Sequence, residues 1–531
     1  MSGDATALPF GAAASRKPNP WVIAVVVSMA TFMEVLDTTI ANVALPYIGG
    51  DLAISADEAS WVITTYLVAN AIILTASGYL AKKFGRKPFY LCCVVLFTIS
   101  SVLCASAWSF QSLLLFRIMQ GLGGGGMVPV SQSILADAFP QEKRSQGFAV
   151  FGVAIVIAPV VGPTLGGWLS DNYGWEWCFL INAPVGLLSV FLVSVVLQSR
   201  TAAERDTQIR EAGPFDFIGF ILIATFLGSL EVILDRGQED DWFGSTTIIT
   251  FAVICVLAFV SMIPWEVTRR NPVVDLRMLA TRQFGSCFLV MMAAGAILLA
   301  TTQVLPQLVQ DEFGYTATWA GLVLSPGGVA TMIMMVVVGR VAGFIQPKYL
   351  IAAGAIISAL AMDGLTSLYA DTNFAFFAWS RIYIGIGLPL IFIPIITASY
   401  YGLPANKTDQ ASAMMNAARN IGGSMGISLA SNVLAFREQF HQSRLVEQVV
   451  PSSVQYQQTL QSVTDYFVSQ GSNLIQAQQQ AIAWIGQQVE TQAALLAYID
   501  VFWALMIVAI AAVPLALILR SIKLGAAAAI H

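Results

Sequence analysis

Two carboxylates, Glu34 and Asp37, stand in an otherwise apolar stretch, residues 21–46. That stretch is long enough to cross a bilayer as a helix. An ionised side chain in hydrocarbon costs several kcal/mol, roughly 3 on insertion scales, so such acids face a cavity and carry protons, ions or polar cargo. Residues three apart share one helix face, which puts Glu34 one turn deeper than Asp37 on the same side. The chain has only two histidines, His441 and His531, and neither falls in an apolar run. Proton chemistry inside a membrane must therefore use carboxylates. The pair reads as the proton site of a transporter, with Asp37 at its centre. Glu34 either passes the proton onward, attracts cationic cargo, or is merely satisfied by a neighbouring helix.

Three arginines also lie inside apolar runs: Arg117, Arg381 and Arg419. At 1.5 Å of rise per residue, Asp37 lies about 13 Å from the outer end of its helix and Arg117 about 9 Å below the outer end of its own. The depths match, so Arg117 is expected beside Asp37. There a cation modulates the acid or, in the plainer alternative, clamps two helices permanently. Arg381 is expected to be structural or to face the cargo, and Arg419 to line or gate the cytoplasmic end. Asp363, another acid in an apolar run, is expected to be structural. A promiscuous cargo site needs an apolar cavity with a few polar groups. Thr38, Asn42, Gln120, Gln132, Gln303 and Gln307 are the candidates, although polar residues in spans also serve as glue between helices. Gly162, Pro163, Gly166 and Gly167 make one span slim and bent, because proline removes a backbone hydrogen bond and glycines let helices touch. They are read as a hinge or as close packing, and Gly121 and Gly123 as doing similar work.

The elements that position these residues must be membrane helices. Of 531 residues, 57% are hydrophobic and only 11% charged, with a mean hydropathy of +0.73; soluble domains carry about 25% charged residues. Apolar runs fall near 21–46, 61–81, 89–107, 111–135, 147–169, 177–197, 215–234, 246–265, 285–309, 317–338, 348–370, 376–402, 413–435 and 497–520. Fourteen spans put both termini on one side. Of the 26 Lys and Arg, 20 lie on that side, three opposite and three inside spans. The bias places both termini in the cytoplasm, and most tryptophans sit near span ends, as an interfacial belt requires. Residues 1–20 are polar and the first run is too long for a signal core, so no cleavable leader is expected.

The chain also repeats itself. Leu36, Asp37, Thr38 and Thr39 correspond to Leu299, Ala300, Thr301 and Thr302; Arg117, Gly121 and Gly123 to Arg381, Gly385 and Gly387; Gly78 to Gly339. The offsets are 263, 264 and 261. Duplicated halves around a midplane site are the usual build of secondary transporters. The expected division is a cytoplasmic segment 1–20, a six-helix bundle 21–197, a linker with two inserted helices 198–283, a second six-helix bundle 284–520 and a tail 521–531. Within the second bundle, the outer stretch 436–496 holds fifteen Gln and one proline. Apolar Leu460, Val463, Phe467, Ile482, Ile485 and Val489 recur there at helical spacing, which predicts helices projecting from the membrane, as a spacer or a docking surface.

Other classes fit poorly. The six cysteines lie in or beside apolar runs without a CxxC, and no metal-ligand or nucleophile spacing marks an enzyme. The net charge of −5 says little about partners, and no nucleic-acid partner is expected. No phosphate-binding GxxxxGK[ST] motif occurs, so energy is expected from an ion gradient and no cofactor is needed.

Several stretches resemble fourteen-helix drug:proton antiporters of the major facilitator superfamily. The stretch 36–46, LDTTIANVALP, resembles their first-span motif. The run from Arg117 to Gly123 resembles the fourth-span motif, and that from Gly162 to Gly167 the fifth-span antiporter motif. Residues 78–87, with Gly78, Gly85 and Arg86, resemble the loop 2–3 motif. Lys82 stands where that motif carries an acid, so the resemblance lends no ion pair between the halves there. Trp175, Trp177, Asn182, Pro184, Asp235, Trp242 and the run from Gly314 to Gly321 are similar to the EmrB branch. The resemblance implies an all-α major facilitator fold and export of hydrophobic, varied compounds against proton influx. It also implies residence in a bacterial inner membrane, with a periplasmic EmrA-like adaptor and an outer-membrane channel as partners; the loop 436–496 is compatible with docking the adaptor. Polyamine, fatty-acid or siderophore export by the same fold is the alternative. The resemblance favours H⁺ over Na⁺.

Overall fold

The computed structural model describes residues 19–140, 143–197, 215–269, 271–404 and 407–521, apart from the side chains of a few helical residues. The first half comprises α1 (Pro20–Asp51), α2 (Ala56–Phe84), α3 (Arg86–Ala105), α4 (Phe110–Gly124), α5 (Met127–Ala138), α6 (Arg144–Tyr173), α7 (Glu176–Leu180) and α8 (Asn182–Val196). Then follow α9 (Phe217–Arg236) and α10 (Thr246–Thr268). The second half comprises α11 (Arg282–Asp311), α12 (Ala317–Val341), α13 (Pro347–Leu365), α14 (Phe374–Ser399), α15 (Thr408–Gln448), α16 (Val454–Ser469) and α17 (Leu474–Leu517). Apolar runs of this length must be helical in lipid, where no water can satisfy a bare backbone. Side chains close the helix starts: Asn19 accepts from the Trp21 amide, and Ser55 and Glu58 form a reciprocal capping box at α2.

Among the described residues, twelve helices are long and apolar enough to cross a membrane, with α4–α5 and α7–α8 each counted as one. The two other expected spans fall in α6 and α15, which pack against them. The two halves pack alike. In each, the first span packs on the fifth, the second on the fourth, and the third on the fourth and sixth. The sequence repeat is thus matched by a repeat in packing.

The hydrophobic core is shared at one end and divided at the other. One cluster joins both halves, from Val27, Phe97 and Phe148 to Met291, Met415 and Ala418. Two separate clusters fill the opposite end, one around Leu36, Ile40 and Phe179, the other around Ile297, Leu305 and Phe502. The shared cluster lies at the end that carries Lys82, Lys83, Arg86, Lys143, Arg340 and Lys407, hereafter the basic end. The inserted helix α9 packs on α2, α10 and α15. The outward face of α10 leaves Val256, Leu257 and Val260 exposed, as a lipid-facing helix does.

At the end opposite the basic one, α15 and α17 continue well past the bundle. With 41 and 44 residues, each is about 60–65 Å long, roughly twice the hydrocarbon thickness. With α16 they make the helical projection expected over 436–496. Leu460, Val463, Phe467, Ile485 and Val489 are half-buried within it, while Ile482 stays exposed. Asp363 lies in the last turn of α13 and is exposed, on the outer face of the helix, while Met362 and Leu365 in the same turn are buried.

Candidate functional site

Asp37 is 1% exposed and sits midway along α1. The second-half copy of this helix carries Ala300 at the same place. Two helices, α4 and α8, reach the carboxylate, and α3 supports them. Arg117 of α4 donates through Nη1 to Asp37 Oδ2 at 2.8 Å. Gln120, one turn further along α4, donates through Nε2 to Oδ1 at 2.8 Å. Asn182, the first residue of α8, donates through Nδ2 to the same oxygen at 2.6 Å. Ser101 of α3 accepts from both amides, at 2.6 Å from Gln120 and 3.3 Å from Asn182. Three side-chain donors thus hold the two carboxylate oxygens. Charge-assisted bonds of this kind are about twice as strong as neutral ones.

Arg117 is wholly buried and tied at several points. Its Nε donates to the Val62 carbonyl of α2 at 3.0 Å and its Nη1 to Gln120 Oε1 at 2.7 Å. The guanidinium lies 4.3 Å from the Tyr66 ring centroid and 5.5 Å from that of Phe179, so aromatic faces cover its surface. Its Nη2 has no hydrogen-bond partner among the described residues.

Glu34 is buried one turn toward the basic end. Its Oε1 accepts from Asn70 Nδ2 at 3.0 Å, while Oε2 is buried with no hydrogen-bond partner among the described residues. Asn70 in turn reaches the Tyr66 hydroxyl at 3.4 Å, which connects the Glu34 environment to the aromatic wall of Arg117.

The basic end is closed by contacts between the halves. Arg86 pairs with Asp137 of its own half and, through Nε at 2.7 Å, with Asp409 of the other. Arg86 thus makes an ion pair between the halves that does not use position 82, because α15 begins directly over the turn between α2 and α3. Gly85 makes that turn with φ +91°, a conformation favouring glycine. Gly78 lies under α15: a Cβ there would sit 2.7 Å from the Asp409 carbonyl oxygen. Ser412 Oγ donates to the Pro129 carbonyl at 2.8 Å, Asn416 Nδ2 to Gln132 Oε1 at 2.7 Å, and Ser145 Oγ to the Gly339 carbonyl at 2.8 Å.

These contacts separate the expected cargo residues. Thr38 is half-buried and Asn42 exposed on α1; Gln303 and Gln307 are exposed on α11. All four lie toward the divided end. Gln120 belongs instead to the Asp37 network, and Gln132 to the basic-end closure, since each is fully buried and bonded there. Arg381 is buried against Thr301 and Thr302. Arg419 is half-buried and, among the described residues, hydrogen-bonds Asn420 at 3.4 Å. Gly121 and Gly123 are contact points of α4 with α2 and α3, and Gly162 and Gly166 of α6 with α1; Gly167 meets Val43. α6 runs unbroken from Arg144 to Tyr173; the Pro163 side chain is outside the described residues.

Sequence reasoning missed Asn182, Ser101, Asn70 and Asp409, whose roles depend on contacts across helices. It also missed Glu231, a buried acid on α9 whose Oε1 accepts from Ser424 of α15 at 2.8 Å. The signal was available, since Glu231 is an acid in an apolar run just as Asp37 is.

Residues 27–427 match the family described as the Major Facilitator Superfamily. This chain belongs to that superfamily. It is a transporter and a multi-pass membrane protein rather than an enzyme. It is 36% identical over 483 residues to the "Multidrug export protein EmrB" of Escherichia coli (strain K12), covering 91% of this chain and 92% of that one. It is 34% identical to the "Fatty acid resistance protein FarB" of Neisseria gonorrhoeae, over 84% and 87% of the two chains. The solved proton:xylose symporter XylE shares the fold, with a TM-score of 0.56 at 15% identity, covering 90% of this chain and 94% of that one.

Proposed function

We propose that this chain is a proton-coupled multidrug efflux antiporter of a bacterial inner membrane, exporting hydrophobic compounds from the cytoplasm or inner leaflet. The observation that carries the reading is the buried Asp37–Arg117 pair, in a chain 36% identical over 91% of its length to a multidrug export protein.

In this reading the bundles 21–197 and 284–520 rock about the site, with 198–283 inserted between them. Fourteen spans leave both termini in the cytoplasm. The conformation closed at the basic end is the outward-facing one, in which Thr38, Asn42, Gln303 and Gln307 line the open side. Protonation of Asp37 removes the charge that holds Arg117, Gln120 and Asn182, and α1 loosens from α4 and α8. The Arg86–Asp409 and Gln132–Asn416 contacts then part, with Gly162, Pro163, Gly166 and Gly167 of α6 taking up the bend alongside Gly121 and Gly123. Glu34, one turn nearer the basic end with a free oxygen, carries the proton onward. Arg419 gates that end, and Arg381 faces the cargo. The projection over 436–496 docks a periplasmic EmrA-like adaptor, which leads to an outer-membrane channel.

The test is uptake by purified protein in proteoliposomes under an imposed pH gradient, with and without an adaptor. Accumulation that ignores the gradient rules the reading out. Fatty-acid export is the second reading, supported by the 34% identity to a fatty acid resistance protein. The susceptibility of a deletion strain to a compound panel separates the two.

A further inference from the structure

The two halves hold one arginine each at the same place in the repeat, but only one is neutralised. In the first half, Asp37 sits 2.8 Å from Arg117. In the second, Ala300 stands where Asp37 would be, and Arg381 is 9% exposed. Arg381 Nη1 donates to Thr301 Oγ1 at 2.9 Å, and Nη2 to Thr302 Oγ1 at 3.0 Å. Each hydroxyl gives its own hydrogen to an α11 carbonyl: Thr301 to Ile297, Thr302 to Leu298, both at 2.7 Å. The threonines therefore offer Arg381 neutral lone pairs and no charge. Among the described residues, no carboxylate lies within ion-pair distance of it.

Arginine stays protonated in proteins, so this is a buried cation one negative charge short. Burial without a counter-ion is unfavourable, and a bound anion offsets it. The guanidinium fork suits a carboxylate. The site is also within reach of cargo. Arg381 lies about 10 Å below the start of α14, at the divided end of the bundle. Thr302 is half-buried, and Leu299, Gln303 and Gln307 on the same helix are exposed. An acid head on Arg381 would leave its apolar tail against that face of α11.

We propose that Arg381, Thr301 and Thr302 form a binding site for the acidic group of an amphipathic carboxylate. The proposal rests on the export reading above and names one substrate class for it.

The experiment measures binding to the purified full chain at pH 8, using decanoate and its uncharged methyl ester. The wild type is expected to bind decanoate about tenfold or more tighter than the ester, in line with the roughly 1.5–3 kcal/mol of a hydrogen bond to a charged group. Arg381→Gln is expected to bring that ratio to about one. Ala300→Asp, which supplies the acid the first half already has, is expected to do the same. Thermal unfolding verifies that each variant is folded. Should Arg381→Gln fail to fold, Ala300→Asp and the wild-type ratio still decide the matter. A wild-type ratio near one, or a ratio unchanged in a folded variant, overturns the proposal. Proton-driven accumulation of a cationic dye by the wild type is measured in parallel. Its loss sinks the export reading itself, whereas its presence with an unselective site sinks only the anion site.

Discussion

Arg117 Nη1 and Asp37 Oδ2 are 2.8 Å apart, and neither side chain has any exposed surface. Matching depths on two helices put them in reach, and the fold closes water out around them. Gln120 and Asn182 complete the carboxylate shell. The pair joins α1 to α4, and the Asn182 bond to the same carboxylate adds α8.

Asp37→Asn keeps the shape of the side chain and removes its charge. The variant is expected to reach the membrane folded and to lose proton-driven accumulation by about 100-fold or more, the scale of a missing proton-transfer group. Transport down a gradient is expected to persist. Uphill accumulation by Asp37→Asn in proteoliposomes would remove Asp37 from the coupling scheme.

Asp37→Ala leaves Arg117 buried without its partner. The expected cost is about 3–5 kcal/mol, since an orphaned buried charge is worse than no pair. Pairing it with Arg117→Leu is expected to recover much of that loss. Thermal unfolding of the two single variants and the double variant in detergent measures the coupling directly.

Asn182→Ala removes a 2.6 Å donor from the same carboxylate. A loss of about 1.5–3 kcal/mol is expected, as for other hydrogen bonds to charged groups. Asn182→Asp, which sets an acid against Asp37, is expected to be worse than Asn182→Ala. An unchanged melting temperature in both variants would mean that Asn182 is a bystander.

Gly78 carries the contact between halves at the basic end, 2.7 Å from the Asp409 carbonyl if a Cβ is added. Gly78→Val is expected to hold that end apart. A cysteine introduced as Ser412→Cys, otherwise buried, should then be alkylated several-fold faster by a reagent added from the basic side, while export falls. Asp409→Asn is expected to act in the same direction but less strongly, because Gly78 still packs.

A Cβ on Gly162 would overlap the Thr39 side chain. Gly162→Ala is therefore expected to cost about 1–3 kcal/mol through overpacking between α1 and α6. Thr39→Ala is expected to recover part of that loss, because it removes the nearest atom, Oγ1, but keeps Cβ, 2.7 Å from the added carbon. Failure of that rescue would point to a backbone cause.

The sequence alone was enough for the helical class, the positions of most spans and the internal repeat. Those follow from composition and period, because a bilayer allows an apolar run of this length little besides a helix. It was also enough to expect Arg117 beside Asp37, because charges in apolar runs are conspicuous and their depths match. Other features only the tertiary structure decided. Gln120 and Gln132 look alike as polar residues in spans, yet one ligates Asp37 and the other bonds Asn416 across the halves. The bridge that Arg86 makes with Asp409 of the other half has no sign in the sequence. Asn182 gives no local sign that it meets a carboxylate 145 positions away. Which partner a buried polar group finds depends on which helix faces lie opposite each other, and no single stretch of chain contains that information.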